Sequence, residues 1–297
     1  MNNDTMQAQM RQIARELLTT GAVERVIGWE QGTLWYQATP VLIQKPEEAD
    51  KLIWNDYCQP NLSKYLLDFR YTEGKTALFV KGCDARGFNR LLQDQQIDRE
   101  KAYLIGIPCS WMKDHRMAAS QEADSPDIPL AKICQTCRYP NPVVYDQLLG
   151  EAVTPRQTEA DFTDVEAIEA MSADERYAFW QAQHSKCLRC YACRNACPAC
   201  NCRKCLFDQS ASGWSSKDVN TAENQFYAMT RAFHVAGRCI ECGQCEYVCP
   251  SEIPIMLMNK KLIKDIDLLF GQYDAGIDPE APTPLGHFEK NDPEEFM

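Results

Sequence analysis

Apolar and polar positions follow two regular patterns along the first half of the chain. Over residues 4–20, apolar side chains recur every three or four positions, which predicts an amphipathic helix that ends at Gly21. The segments VERVIGWE and TLWYQATPVLI, separated by QG, predict two strands joined by a turn. TALFV and AYLIGI are short apolar runs typical of buried strands, with the helical pattern FNRLLQDQ between them. This order predicts a βαβ unit in a parallel or mixed sheet.

The pattern changes near residue 150, which divides the chain into four segments. Residues 1–150 are predicted to form an α/β domain. Residues 151–180 are acidic and poor in large apolar side chains, which indicates a linker with one exposed helix. Residues 181–258 carry most of the cysteines, and their segment ENQFYAMTRAFHVAG has helical periodicity. Residues 259–297 are predicted to form a helix followed by an extended, acidic and proline-rich tail.

Two alternatives are open for this tail, QYDAGIDPEAPTPLGHFEKNDPEEFM. It is too poor in core residues to fold alone, so it forms either a disordered end or an extended arm that lies along a partner. Phe288 and Phe296 would anchor such an arm.

Composition and charge narrow the class of protein. The 297 residues suffice for two domains, and a hydrophobic content of 45% is enough for a real core. No apolar run approaches the roughly 20 residues of a membrane span, and the N-terminus has no signal-peptide core, so a cytoplasmic protein is expected. The net charge of −11 argues against nucleic acid as a partner.

Sixteen cysteines are the main chemical signal of the sequence. In a reducing cytosol, clustered cysteines favour metal ligation over disulfides. Two runs have the spacing C-x2-C-x2-C-x3-C-P, which ligates iron–sulfur clusters in bacterial ferredoxins. The cysteines of the two runs are Cys187, Cys190, Cys193 and Cys197, and Cys239, Cys242, Cys245 and Cys249.

In this motif, three thiolates on a tight loop hold one cubane. The fourth, expected near the start of a helix and beside a proline, ligates the other cubane. Cluster 1 should therefore use Cys187, Cys190, Cys193 and Cys249, and cluster 2 should use Cys239, Cys242, Cys245 and Cys197. Zinc knuckles are the structural alternative, but zinc sites prefer paired C-x2-C units.

Five further cysteines lie in the predicted α/β domain. Cys83 and Cys109 follow the carboxyl ends of predicted strands, where open α/β sheets bind ligands, and CQTC adds a C-x2-C pair. A third 4Fe–4S cluster is predicted, with Cys58 as an alternate ligand to the preferred set of Cys83, Cys109, Cys134 and Cys137. Packed core thiols are the alternative.

The loop KGCDARG could instead cradle a phosphate at a helix N-terminus, although it matches no nucleotide motif. Asp84 in this loop could simply be an N-cap.

Three cysteines, Cys200, Cys202 and Cys205, have no fourth partner in sequence. They could join a thiol of the α/β domain around a fourth cluster, or they could be packed thiols beside a cluster.

The longer motifs resemble a known family. The helix between the two runs is similar to the α-helical ferredoxin domain of fumarate reductase iron–sulfur subunits and of the small subunit of heterodisulfide reductase. KGCDARG, GIPC, CQTCRYPNP, the two cysteine runs and DPEEF resemble a bacterial iron–sulfur subunit related to the β subunits of coenzyme F420-reducing hydrogenase and formate dehydrogenase.

This resemblance implies an electron relay in an anaerobic complex with flavin-based electron bifurcation. The expected partners are a dehydrogenase or hydrogenase subunit and a heterodisulfide-reductase-like flavoprotein. No Ser/His/Asp triad or pair of catalytic carboxylates occurs in a recognisable setting, so no independent catalytic site is expected. The alternatives are an oxidoreductase subunit that binds FAD, for which the sequence has no motif, and a redox-sensing protein.

Overall fold

The structure is a computed structural model that describes residues 2–209, 213, 215–286 and 290. The chain divides into two compact units, Met1–Ala160 and Asp161–Met297. The proposed anchors Phe288 and Phe296 lie outside the described residues. Among the residues that are described, no helix is both long and apolar enough to cross a membrane.

The strands that the structure describes all lie in the first unit. They are β1 (Arg25–Gln31), β2 (Ala38–Ile43), β3 (Thr76–Val80), β4 (Ala102–Gly106) and β5 (Gln147–Leu148). Its helices are α1 (Asn3–Thr19), α2 (Gly82–Gln93), α3 (His115–Ala118) and α4 (Lys132–Gln135), with 3₁₀ turns at Pro46–Lys51, Ser63–Phe69 and Arg99–Lys101.

The strands form one mixed sheet in the order β2-β1-β3-β4-β5. β1 and β2 pair as an antiparallel hairpin, with Gly28 opposite Val41. β1, β3, β4 and β5 run parallel to one another, with Leu78 of β3 opposite Leu104 of β4. Because parallel strands end at one edge, the segments after β3 and β4 emerge side by side, and these segments carry Cys83 and Cys109.

The burial of β3 and α1 in the core of this unit matches the apolar patterns that predicted them. Every residue of β3 is buried, as the continuous apolar run TALFV requires. Helix α1 buries Met6, Met10 and Ala14 in the same core, which matches the apolar face of its sequence.

Helix α2 begins earlier than its apolar pattern predicts. The segment KGCDARG was expected to be a loop, but Gly82 already opens the helix. Asp84 lies in the first turn rather than at the N-cap, and its carboxylate accepts hydrogen bonds from the backbone N–H groups of Lys81, at 3.0 Å, and Leu62, at 2.5 Å. The carboxylate therefore takes the place that an anionic ligand would have at this helix start.

The second unit is helical in its described residues. Its α-helices are α5 (Thr163–Glu169), α6 (Ala173–Ser185), α7 (Ala192–Asn195), α8 (Thr221–His234), α9 (Gln244–Tyr247) and α10 (Ile255–Phe270), with a 3₁₀ turn at Leu206–Asp208. Helix α8 packs against α6 and α10, and α10 also contacts α5 and α9.

The acidic segment before the cysteines contains both α5 and α6, where one exposed helix was expected. Helix α5 buries only Val165, so its apolar pattern is weak. It is instead held on α10 by ion pairs, including Lys264 to Glu169 at 2.6 Å and Lys260 to Asp164 at 2.5 Å. Such long-range charge pairs leave no periodic signal in the sequence.

Candidate metal centres

Cys187 to Cys193 form a tight loop with an unusual backbone. Arg189 and Tyr191 adopt left-handed conformations, with φ of 52° and 59°. This turn places the backbone N–H of Arg189 3.4 Å from Cys187 Sγ. An N–H donated to sulfur stabilises the thiolate, which is the form that binds metal.

Cys239 to Cys245 form a second loop with the same backbone. Glu241 and Gly243 are left-handed, with φ of 55° and 69°. Burial and the charge of Cys197 raise the pKa of the Cys239 thiol to about 12, while the N–H of Glu241 lowers that pKa. The same structural unit therefore occurs twice.

The last cysteine of each run lies near the loop of the other run. Burial raises the pKa of Cys187, and so do the charges of Cys193, Cys249 and Cys190. These four cysteines line one cavity, together with Tyr227. The last cysteine of the second run therefore meets the loop of the first.

The last cysteine of the first run lies, in turn, near the second loop. Burial raises the pKa of Cys245 well above its ordinary value, and the charges of Cys197, Cys239 and Cys242 raise it further. Cys197 of the first run therefore lies near the cysteines of the second loop. Cys197 and Cys249 each lie just after a four-residue helix, α7 or α9, rather than near the start of one.

The donor chemistry fits iron–sulfur clusters. All sixteen cysteines are free thiols. Within the described ranges, no three His, Cys, Asp or Glu side chains are placed to hold a single metal ion. In a cubane, each thiolate binds a different iron.

The two sets differ in exposure. Cys190 of the first set is exposed, whereas Cys245 of the second is buried at 4% exposure. Exposure is one of the levers on the potential of a cluster, so the two sites are not equivalent.

In the first unit, Cys83, Cys109 and Cys134 lie near a buried cation, and Cys137 lies near Cys109. Lys81 is 2% exposed and pairs with Asp84 at 2.8 Å. Burial lowers the pKa of Lys81, but the charges of Asp84, Cys83 and Cys109 outweigh burial and raise it. Burial raises the pKa of Cys109, and the charges of Cys134 and Cys137 contribute to the increase.

Gly82 explains how the chain brings these segments together. A Cβ on Gly82 would lie 1.9 Å from the carbonyl oxygen of Tyr139, so only glycine permits this approach. The start of α2, which carries Cys83, therefore packs directly on the segment that follows Cys137. This close approach accounts for the glycine without a phosphate.

The loop after Cys109 repeats the feature of the two ferredoxin-type loops. Trp111, two residues on, is left-handed with φ of 70°, and its backbone N–H lowers the pKa of the Cys109 thiol by a hydrogen bond. Burial, opposed by the N–H of Met112, raises the pKa of Cys134 to about 11.

Cys58 has different surroundings from these four cysteines. It is fully buried, and burial raises its pKa to about 12. Its thiol lies 3.8 Å from the carbonyl oxygen of Ile53 and accepts the backbone N–H of Asn55 at 3.4 Å. These contacts are those of a packed core thiol.

The three extra cysteines of the first run have separate surroundings. The charge of Cys200 acts on Arg231, whereas Cys205 hydrogen-bonds the side chain of Arg194. Cys202 is exposed.

Sequence reasoning missed four polar side chains near the cysteines, although each is buried. No sequence motif indicates them, because only the tertiary fold brings each of them close to the thiols. They are Lys81, His184, Tyr227 and Arg231. His234 is exposed in the last turn of α8.

Comparison with known proteins agrees with this geometry. Residues 183–253 match the family model described as a 4Fe-4S dicluster domain. The chain contains a 4Fe-4S dicluster domain. This match covers every cysteine of the two loops.

The chain is also similar to whole subunits. It is 23% identical to F420-dependent formate dehydrogenase subunit beta of Methanocaldococcus jannaschii, with 92% of each chain covered. It is 24% identical to F420-dependent formate dehydrogenase 1 subunit beta of Methanococcus maripaludis, with 91% of this chain and 90% of that one covered. The predicted relationship to such β subunits is confirmed.

A shorter similarity involves acetyl-CoA decarbonylase/synthase complex subunit alpha 1 of Methanosarcina acetivorans. The identity is 31% over 118 residues, which are 40% of this chain and 12% of that protein.

Proposed function

We propose that this chain is the iron–sulfur electron-transfer subunit of a cytoplasmic, anaerobic oxidoreductase complex. It relays electrons between a dehydrogenase- or hydrogenase-type catalytic subunit and a heterodisulfide-reductase-like flavoprotein that takes part in electron bifurcation. The observation that carries the proposal is the pair of interleaved cysteine sets in a chain related to formate dehydrogenase β subunits.

The interleaved sets support the proposed ligands of two 4Fe–4S clusters. Cluster 1 is held by the loop of the first run and Cys249, and cluster 2 by the loop of the second run and Cys197. When bound, each cluster accepts one electron and passes it on. The residues of the chain bury the clusters and donate N–H groups to sulfur, which tunes their potentials.

A third cluster in the first unit is part of the proposal. The left-handed residue after Cys109 and its N–H donated to sulfur reproduce the two ferredoxin-type loops. The proposed ligand set is Cys83, Cys109, Cys134 and Cys137, and the first three of these lie near Lys81. The packing of Cys58 disfavours it as the alternate ligand.

An anaerobic cofactor count of the full chain tests these assignments. About twelve irons with equal sulfide are expected, at four irons per cubane. A count of eight irons would contradict the third cluster, and a count of sixteen would indicate a fourth cluster at Cys200, Cys202 and Cys205. Flavin released on denaturation would support the flavin-dependent alternative instead.

Electron transfer itself needs a second measurement. Formate and a formate dehydrogenase catalytic subunit should bleach the cluster absorbance of the purified chain, because electrons pass into the clusters. A chain that loads its clusters but takes no electrons from such a donor, and responds only to oxygen, would be a redox sensor and would contradict the relay.

A further inference from the structure

One of the buried guanidinium groups that the structure describes in the second unit lies beside cysteines of the proposed clusters. Arg231 of helix α8 is 4% exposed. Among the described residues no carboxylate pairs with it, and its Nε has no hydrogen-bond partner. Its Nη2 donates only a long hydrogen bond of 3.4 Å, to the carbonyl oxygen of Cys193.

The charges that balance Arg231 are those of cysteine sulfurs. Burial lowers the pKa of its guanidinium, but the charges of Cys245, Cys197, Cys200 and Cys193 outweigh burial and raise that pKa well above the ordinary value. A buried charge is tolerated only when opposite charges and hydrogen bonds compensate it. Here the compensation comes from the thiolates.

The compensating sulfurs belong to both cluster sites. Cys193 is a proposed ligand of cluster 1, whereas Cys197 and Cys245 are proposed ligands of cluster 2. Arg231 lines the cavity of the cluster 1 cysteines, and the charges of Cys197 and Cys245 at the cluster 2 site also act on it. An arginine in a protein keeps its charge at any working pH, so its field on both sites is permanent.

We propose that Arg231 is a positioning residue that raises the reduction potentials of both clusters at once; this rests on the proposed ligand sets. Reduction moves one electron from a donor subunit, which is oxidised, onto a cluster, with no bond or proton transferred. Since the electron adds negative charge, a fixed positive charge beside the cluster favours the reduced form.

Tyr227 supplies a matched contrast on the same helix. Its hydroxyl lies 3.4 Å from Cys193 Sγ, and it lines the cavity of the cluster 1 cysteines. A hydrogen bond to a ligand sulfur raises the potential of that cluster. Tyr227 should therefore act on cluster 1 alone, whereas Arg231 acts on both.

The test is an anaerobic redox titration of the full chain, with each cluster followed by its electron paramagnetic resonance signal. The signals are assigned with Cys190→Ser for cluster 1 and Cys242→Ser for cluster 2. Arg231→Gln should shift the one-electron equilibrium of both clusters about tenfold toward the oxidised form, which is about 59 mV. Arg231→Lys, which keeps the charge, should shift them less than about threefold, or about 28 mV.

Tyr227→Phe should lower the potential of cluster 1 and leave cluster 2 unchanged. A shift of only one cluster in Arg231→Gln, or of neither, would overturn the shared role. So would an equal shift in Arg231→Lys and Arg231→Gln, because the charge would then be irrelevant.

An iron count accompanies every variant. If Arg231→Gln fails to load its clusters, the proposal requires that Arg231→Lys load them, because charge compensation is what the site needs; failure of both variants would refute it. Wild-type protein without the two clusters would instead contradict the proposed function.

Discussion

Four non-glycine residues hold left-handed backbone conformations at the cysteine loops. Arg189, Tyr191 and Glu241 belong to the ferredoxin-type loops, and Trp111 to the segment after Cys109. Such strain costs of order 1–3 kcal/mol per residue and persists only where the surroundings impose it. It recurs beside a cysteine in three segments, and under the proposed ligand assignment cluster ligation is what imposes it.

Glu241 offers a direct test of this strain. Glu241→Gly and Glu241→Ala both remove the side chain, but only alanine keeps the Cβ that disfavours the left-handed conformation. We expect the alanine variant to be less stable by about 1–2 kcal/mol, the reverse of the usual order of these two residues. Anaerobic thermal unfolding, followed by cluster absorbance, measures the difference. An alanine variant as stable as the glycine variant would contradict the strain.

The crossing of the fourth cysteines makes a further prediction about single ligands. Cys249→Ala and Cys187→Ala should each remove about four irons, and the double variant should remove no more, because both ligands serve one cubane. Cys249→Ala with Cys239→Ala should remove about eight. Anaerobic iron and sulfide analysis decides, with the exposed Cys202→Ala as the control that keeps all iron. Ligation within each run would reverse the two double-variant results.

At the scale of elements, the helices and strands with a regular apolar pattern were predicted well. The run TALFV is strand β3 without change, and the helix expected over residues 4–20 is α1. The helical pattern between the cysteine runs is α8. These elements are recognisable because their burial is periodic, and periodicity is a local property of a sequence.

Elements fixed by distant contacts were predicted less well. The start of α2 depends on the carboxylate of Asp84, which accepts the backbone N–H of Leu62 from a distant segment. It also depends on the close approach of Gly82 to Tyr139. The chemistry of the sites divides in the same way. Cysteine spacing indicates ligands, whereas Arg231 reaches the thiols only through the packing of α8.

At the scale of the whole molecule, the two units are stabilised differently. The large core cluster of buried apolar residues lies in the first unit, around the sheet. Among the described residues, the second unit buries fewer apolar side chains; they include Met256, Leu257 and Ile263 of α10, and Ala199 and Val235 beside the cysteines. The fold of the second unit should therefore depend on its clusters, since metal binding and folding are coupled.

Removing iron should consequently unfold the second unit first. After anaerobic chelation, we expect amide exchange in α8 and α10 to accelerate by at least about a hundredfold, because the energy of ligation is lost. Amides of β3 and β4 should keep their protection. Hydrogen exchange read by mass spectrometry measures both. Equal loss of protection in the two units, or none in α8, would contradict this dependence.

The side chains around the proposed cluster 1 site decide whether a proton accompanies its electron. Burial lowers the pKa of His184, so its ring is neutral at pH 7 and above. Burial and the charge of Cys193 raise the pKa of Tyr227, which keeps its proton, and Arg231 keeps its charge. No group of these three changes its protonation between pH 7 and pH 9.

The potential of cluster 1 should therefore be flat over that pH range, whereas a proton taken up with each electron would give a slope of about 59 mV per pH unit. Redox titrations at pH 7, 8 and 9 measure it. A steep slope would mean that a proton accompanies the electron. Because the charges around it are fixed, the proposed cluster 1 site would transfer electrons without protons. Acid–base chemistry would then take place in the partner subunits.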